Sequence, residues 1–294
     1  MGRLQGQNFV LRSGATIHAK LSPAFIENRN LENIILCLSG FGCSHYNFIE
    51  LEKDLGDSYP MVLIDNRGMG ESSSVELDYS LEEVVDDALE VMEVLNCESF
   101  HLMGISMGGF ISQLMTLKNP EKINSLILMC TTSAGQEFVP MPVMTEEMLQ
   151  GFYALEEPRR TEMAVEATAH PNIKERAYGR FQGIVKLRRS HPVRVDQVLK
   201  QKRAVDLFLE NPLPLETINV PTLIVTGDAD RFVSPKNGEI LHKKISNSLF
   251  KTIPETDHLF FLEKPRLVGE VVKNFLTTLP LAAEKEKLSQ GVNL

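Results

Sequence analysis

The sequence predicts an α/β fold: a mostly parallel, eight-stranded sheet flanked by helices, with a helical lid inserted after the sixth strand. Three observations lead there. Short runs rich in β-branched and aliphatic residues alternate with helical stretches. Several of those runs are continuously apolar, which suits strands covered on both faces. The rhythm then breaks between about Ser133 and Pro221, an interval of nearly ninety residues, far too long for a structureless connection inside a compact domain.

Taken in order, NFVLR (from Asn8) and ATIHAKL (from Ala15), separated by Ser13-Gly14, read as an opening hairpin. NIILCL, MVLID, SFHLMG, SLILMC, PTLIVTG and LFKTI follow as strands. Between MVLID and SFHLMG, Ser80 and Glu83 form an S-x-x-E capping box. Val84, Val85, Ala88, Leu89, Met92 and Leu95 follow it at a spacing that makes one apolar stripe of a helix. Past the glycine-rich turn from Gly104 to Gly109, Phe110, Ile111, Leu114 and Met115 recur at helical spacing until Asn119-Pro120 stops the helix. A strand therefore runs straight into a helix at Ser106. In the long interval the candidate helices are TEEMLQGFYAL, RRTEMAVEATA, Ile173 to Arg189 and Val193 to Leu209, punctuated by Pro158, Pro171, Pro192 and Pro212. The expected division is an α/β core over residues 1–133 and 213–280, a helical cap over 134–212 and a polar C-terminal tail over 281–294.

Bulk properties narrow the functional classes. The 294 residues allow one large domain, or one domain with a smaller insertion, and are ample for a buried core without a disulfide or metal framework. No apolar run approaches the roughly 20 residues needed to span a bilayer, so a soluble protein without membrane insertion is expected. The opening MGRLQGQNFVLRSG lacks the apolar stretch and small-residue cleavage site of a secretory signal, which favours the cytoplasm. Cys37, Cys43, Cys97 and Cys130 show no metal spacing and read as reduced thiols. A net charge of −9 argues against nucleic acid as a partner, because neutralising phosphates requires a basic surface.

The chemistry centres on Gly104-Ile105-Ser106-Met107-Gly108, a G-x-S-x-G elbow whose glycines, Gly104 and Gly108, let the chain turn sharply enough to hold a strained serine at the end of a strand. A serine hydroxyl is a poor nucleophile until a base takes its proton, and the base needs a carboxylate to orient it. Asp230 follows PTLIVTG and His258 follows the last strand, each on a loop at a strand's carboxyl end, where sites of open α/β sheets form. Asp228 is the natural rival to Asp230 and Asp257 a weaker one; loop spacing favours Asp230. Of the other histidines only His45 lies where it could line a pocket. Two backbone amides are available for the negative charge that develops in acyl transfer: Met107, just after the serine, and Phe41, in Ser39-Gly40-Phe41-Gly42 after NIILCL.

These residues resemble the α/β-hydrolase superfamily, in its serine esterase and enol-lactonase branch, and the likeness covers nearly the whole chain. Four landmarks agree in order: the SGFG loop at Ser39 to Gly42, the DNRGMGES segment from Asp65 to Ser72, the GISMGG elbow, and the late Asp230 and His258 followed by Glu263-Lys264-Pro265. Two departures stand out. Many relatives have His-Gly in place of Ser39-Gly40 and Gly-His in place of Asp257-His258. Ser106 disfavours the branches with an aspartate nucleophile, and Met107 the proline iminopeptidases, which commonly carry Trp there. The resemblance implies a catalytic triad of Ser106, His258 and Asp230, an oxyanion hole of Phe41 and Met107 amides, no cofactor and no metal, and a small-molecule ester or lactone as substrate. The reading is a carboxylesterase-type hydrolase of small or medium esters. A lactonase, a carbon–carbon bond hydrolase and a non-catalytic binding protein stay open on the same framework.

A charge asymmetry adds one clue. From Lys174 to Arg203 the cap carries ten Lys or Arg residues against Glu175 and Asp196. Solvated helix faces account for most such runs; the alternative is that the cap steers anionic esters or lactones to the cleft.

Overall fold

The computed structural model describes residues 4–27 and 33–279. The tail expected over 281–294 lies outside the described residues. Eight strands form one sheet: β1 (Gln5–Val10), β2 (Thr16–Leu21), β3 (Ile35–Leu38), β4 (Met61–Ile64), β5 (Phe100–Ile105), β6 (Ile123–Met129), β7 (Thr222–Gly227) and β8 (Ser248–Ile253). Their spatial order is β1-β2-β4-β3-β5-β6-β7-β8. The opening hairpin β1–β2 is antiparallel and joins β4 antiparallel, and every other pairing is parallel.

The continuously apolar runs are the interior strands. All residues of β3, β4, β5 and β7 are buried, whereas the edge strands β1 and β8 carry polar, exposed positions that blunt unpaired edges. Alternate residues of one strand serve opposite faces of the sheet. Leu36, Leu38, Val62, Ile64, Leu102 and Leu126 join one core layer, under helices α3 (Leu81–Val94) and α4 (Met107–Lys118). Ile35, Cys37, Met61, Leu63, Met103 and Ile127 join the other, under α2 (Ile49–Leu55) and α11 (Pro265–Thr277). The remaining helices of the α/β layers are the short α1 (Pro23–Glu27) and α10 (Phe260–Glu263), and α9 (Pro235–Lys244).

The helix starts follow their caps. Ser80 accepts from the Glu83 amide at 3.3 Å and Glu83 returns the bond to the Ser80 amide at 2.9 Å, the reciprocal box read from sequence. On the stripe behind it Val84, Val85, Ala88 and Met92 are buried, while Leu89 and Leu95 are partly so. Between β6 and β7, where the sequence predicts an insertion, lie α5 (Glu146–Tyr153), α6 (Arg159–Thr168), α7 (Ile173–Arg189) and α8 (Val195–Leu209). Thr145 caps α5 through the Met148 amide at 3.1 Å. Helix α7 kinks at Ala177, whose backbone leaves the helical region at φ −151°, ψ 55°. Helix α8 fastens the insertion to the core by stacking Phe208 on Phe110, ring centroids 4.7 Å apart. All four cysteines are buried and none forms a disulfide. Among the described residues no helix is long and apolar enough to cross a membrane.

Candidate active site

Strand β5 is central and wholly buried, and it delivers Ser106 to the carboxyl edge of the sheet one residue before α4 begins. Ser106 sits at φ 54°, ψ −116°, a strained backbone for a residue with a Cβ. The surroundings over-determine it. Its N–H donates to Met129 O at 2.8 Å, and its carbonyl accepts from the Gly109 amide and from Thr131 Oγ1, both at 2.8 Å. The flanking glycines are demanded by close approach. A Cβ on Gly104 would lie 2.3 Å from Gly108 O, and one on Gly108 would lie 1.9 Å from Leu38 O.

Asp230 sits in the turn after β7, where its Oδ1 accepts from the Phe232 and Val233 amides at 2.9 and 2.8 Å. That fixes its Oδ2, which lies 2.9 Å from Nδ1 of His258. With a carboxylate on that side the ring donates from Nδ1, which leaves Nε2 as the acceptor. Both side chains are buried, and Phe232 packs on the imidazole with centroids 5.1 Å apart. Ser106 and His258 face the same cavity without a direct hydrogen bond between them; such bonds often close only when substrate is in place.

The rival carboxylates are turned to other work. Asp228 is exposed and accepts from the Thr256 amide at 3.3 Å. Asp257 is fully buried and braces the site, a role sequence spacing did not reveal. Its Oδ1 accepts from the His258 and Arg231 amides at 2.8 and 2.9 Å, and its Oδ2 from Arg231 Nε at 2.5 Å. The same guanidinium donates to Ala169 O at 2.8 Å at the end of α6. One ion pair, its carboxylate buried and its guanidinium half exposed, thus ties the loops that carry Asp230 and His258 to the insertion. Glu263 supports it by accepting from the Asp257 amide at 3.0 Å, and burial pushes the Glu263 carboxyl above its ordinary value.

The loop after β3 closes over the serine. A Cβ on Gly40 would lie 3.3 Å from Ser106 Cβ. Ser39, the departure noted in sequence, donates its hydroxyl to Ser44 O at 2.7 Å and so braces the loop from within. From the insertion, Gln201 accepts the Gly42 amide at 2.7 Å. Among the described residues the Phe41 and Met107 amides have no protein acceptor, and both residues line the cavity beside Ser106. His45 does not line it. Its amide and Nδ1 bond Asp65 Oδ1 at 2.6 and 2.9 Å, so this histidine fastens the loop to the segment after β4. In the same segment Arg67 clamps α3 by bonding Asp87 at 2.6 and 2.8 Å.

Ser106 stands at the junction of two chambers. One, of about 360 Å³, carries His258, Leu259, Cys43, Phe152, Tyr153 and Arg188. The other, of about 530 Å³, carries Met107, Phe110, Phe138, Met141, Val205 and Leu209. Phe41, Met144 and Phe232 border both, and helices α5 to α8 each contribute wall residues.

A family described as alpha/beta hydrolase fold matches residues 33–265. The 2-hydroxy-6-oxononadienedioate/2-hydroxy-6-oxononatrienedioate hydrolase 2 of Pseudomonas putida is 29% identical over 262 residues, spanning 83% of this chain and 86% of its own. A monoacylglycerol lipase of Homo sapiens is 25% identical over 268 residues, spanning 86% of this chain and 78% of its own. Among solved structures, the enol-lactonase from Burkholderia xenovorans LB400 matches with a TM-score of 0.77 at 18% identity, covering 92% of this chain and 100% of its own. At that identity the likeness speaks for the fold.

Proposed function

The chain belongs to the alpha/beta hydrolase fold family, and from that premise we propose that it is a serine hydrolase cleaving small or medium carboxylic esters. The observation that carries the reading is the geometry at Ser106. A serine on a strained elbow shares a cavity with a histidine already oriented by a buried carboxylate, with two unengaged amides alongside. In this mechanism His258 takes the proton of Ser106 as Oγ attacks the ester carbonyl. The Phe41 and Met107 amides hold the oxyanion, and His258 passes the proton to the leaving oxygen. Water then repeats the sequence on the acyl-enzyme and frees the acid. Asp230 orients the imidazole and stabilises its charged form. No step calls on a metal or cofactor. Residues 134–212 act as a cap that forms the outer walls of both chambers. Lactone opening would use the same groups, and the names of the relatives keep carbon–carbon cleavage as the second reading; esters are preferred because they need no group beyond these.

Hydrolysis of p-nitrophenyl esters of graded acyl length tests the reading. The natural chain should turn over short or medium esters, with Ser106→Ala reducing kcat by at least about a thousandfold. Asp230→Asn should cost on the order of ten-thousandfold by favouring the wrong tautomer, while Asp228→Asn should leave the rate essentially unchanged. Equal rates in the natural chain and Ser106→Ala would reject the mechanism, and a large loss in Asp228→Asn instead of Asp230→Asn would reject the acid's assignment.

A further inference from the structure

The ten cations between Lys174 and Arg203 divide once their partners are known. Six of them, Lys174, Arg176, Arg180, Arg194, Lys202 and Arg203, form ion pairs with carboxylates. Lys186 and Arg189 are exposed and Lys200 is half-buried, and none of the three borders either chamber at Ser106. Arg188 is different. It lines the 360 Å³ chamber together with Ser106 and His258, and also the small cavity of about 30 Å³ behind it. Among the described residues no side chain or carbonyl gives this guanidinium a hydrogen bond or ion pair.

Its neighbours do not neutralise it. Burial holds the Tyr46 and Tyr153 phenols above their ordinary values, so both stay uncharged, and the Tyr46 hydroxyl is spent on Cys43 Sγ at 3.1 Å. The nearby acid, Glu157, is taken by Arg160 at 2.7 Å and by Thr161 at 2.8 Å. A guanidinium remains protonated and presents five donors in a plane that matches a carboxylate bidentately. Leaving those donors unmade in a largely apolar chamber is costly. An anionic ligand group supplies what the protein withholds.

The two chambers also differ in their reach to the chemistry. The base must deliver its proton to the leaving oxygen, and His258 borders the 360 Å³ chamber but not the larger one. Met107, a candidate oxyanion donor, borders only the larger chamber. The leaving group therefore points towards Arg188 and the acyl chain into the mainly apolar 530 Å³ space, whose lining cation, Lys202, is paired with Asp206. We infer that Arg188 anchors a carboxylate on the leaving-group side of the substrate, so that the preferred substrates are esters of hydroxy acids with an uncharged, apolar acyl part. This rests on the acyl-transfer reading above. In that step the bond from Ser106 Oγ to the acyl carbon forms as the bond to the leaving oxygen breaks. The serine proton, carried by His258, leaves with the hydroxy acid, and water regenerates Ser106.

The test compares meta-carboxyphenyl butanoate with its uncharged meta-carbamoylphenyl counterpart, and phenyl hydrogen succinate with phenyl butanoate. The natural chain should favour the carboxyphenyl over the carbamoylphenyl ester by about ten- to a hundredfold in kcat/KM. Arg188→Gln should abolish most of that ratio, Arg188→Lys should keep part of it, and Arg189→Gln should keep it whole. A ratio near one in the natural chain, or one that survives Arg188→Gln, overturns the assignment. A preference for phenyl hydrogen succinate alone overturns the leaving-group side. Should every ester prove inert, the acyl-transfer reading falls separately, and calorimetric titration of Ser106→Ala with meta-hydroxybenzoate still decides the role of Arg188. Binding weakened about tenfold or more by adding Arg188→Gln upholds it, and unchanged binding overturns it.

Discussion

Asp65 lies under the loop that carries Phe41, and its ionised carboxylate collects the amides of His45 and Glu71 and the His45 ring. Burial alone would raise its pKa, but the hydrogen bond from His45, the charge of that ring and the two amides outweigh it, so the carboxyl lies below its ordinary value. A carboxyl whose folded pKa is depressed contributes stability that is whole above its unfolded value, about 3.9, and is lost as pH falls through the lower folded value. Asp65→Asn should therefore be less stable than the natural chain by roughly 1–3 kcal/mol near neutrality. Urea unfolding at several pH values checks this: the gap should narrow below about pH 4, and a constant or widening gap would contradict the account. At this scale Ser106, His258 and Asp230, the proposed nucleophile, base and acid, were legible as candidates in sequence because each belongs to a short motif after a strand. Arg188 was not, because the cap's cations look alike until their partners are known.

Among elements, the loops after β7 and β8 must arrive together for Asp230 and His258 to meet. Asp257 and Arg231 bind those loops to each other and to the end of α6. Asp257→Asn should keep the fold but let His258 drift. A displacement near 1 Å can cost on the order of a hundredfold in rate, so kcat should fall by about ten- to a hundredfold with little change in KM. Steady-state kinetics on the best ester measures it, and a change confined to KM would mean that Asp257 serves binding instead. Helix boundaries such as those at Ser80 and Thr145 were readable because caps are local chemistry. The brace was not, because it joins residues that are distant in sequence, and neither was the bend at Ala177, which no proline or glycine at that position announces.

For the whole molecule, the insertion and the α/β core share an apolar interface along α8, where Phe208 stacks on Phe110 while Val205 and Leu209 wall the larger chamber, and a second where Val165, Phe181 and Ile184 of α6 and α7 join Phe260 and Phe261 in the other core layer. Phe208→Ala should lower stability by roughly 3–5 kcal/mol in denaturant unfolding and broaden the acyl-length profile, because the wall loses its backing. An unchanged midpoint and profile would show that α8 is held by its ion pairs. The eight strands, their mostly parallel sheet and the place of the long interval could be read in advance, since apolar runs and a ninety-residue break in rhythm are global patterns, whereas the order of the strands in the sheet came from the structure. The two-chamber shape could not, because it arises from four helices meeting over one sheet edge.

The central claim is that Ser106 is a nucleophile activated by His258, and a fluorophosphonate tests it most directly, because the reagent labels only activated serines. Incubation followed by intact-mass and peptide mass spectrometry should show a single adduct on the peptide containing Ser106, lost in Ser106→Ala and strongly slowed in His258→Ala. No adduct on the natural chain, or one elsewhere that survives Ser106→Ala, would contradict the claim.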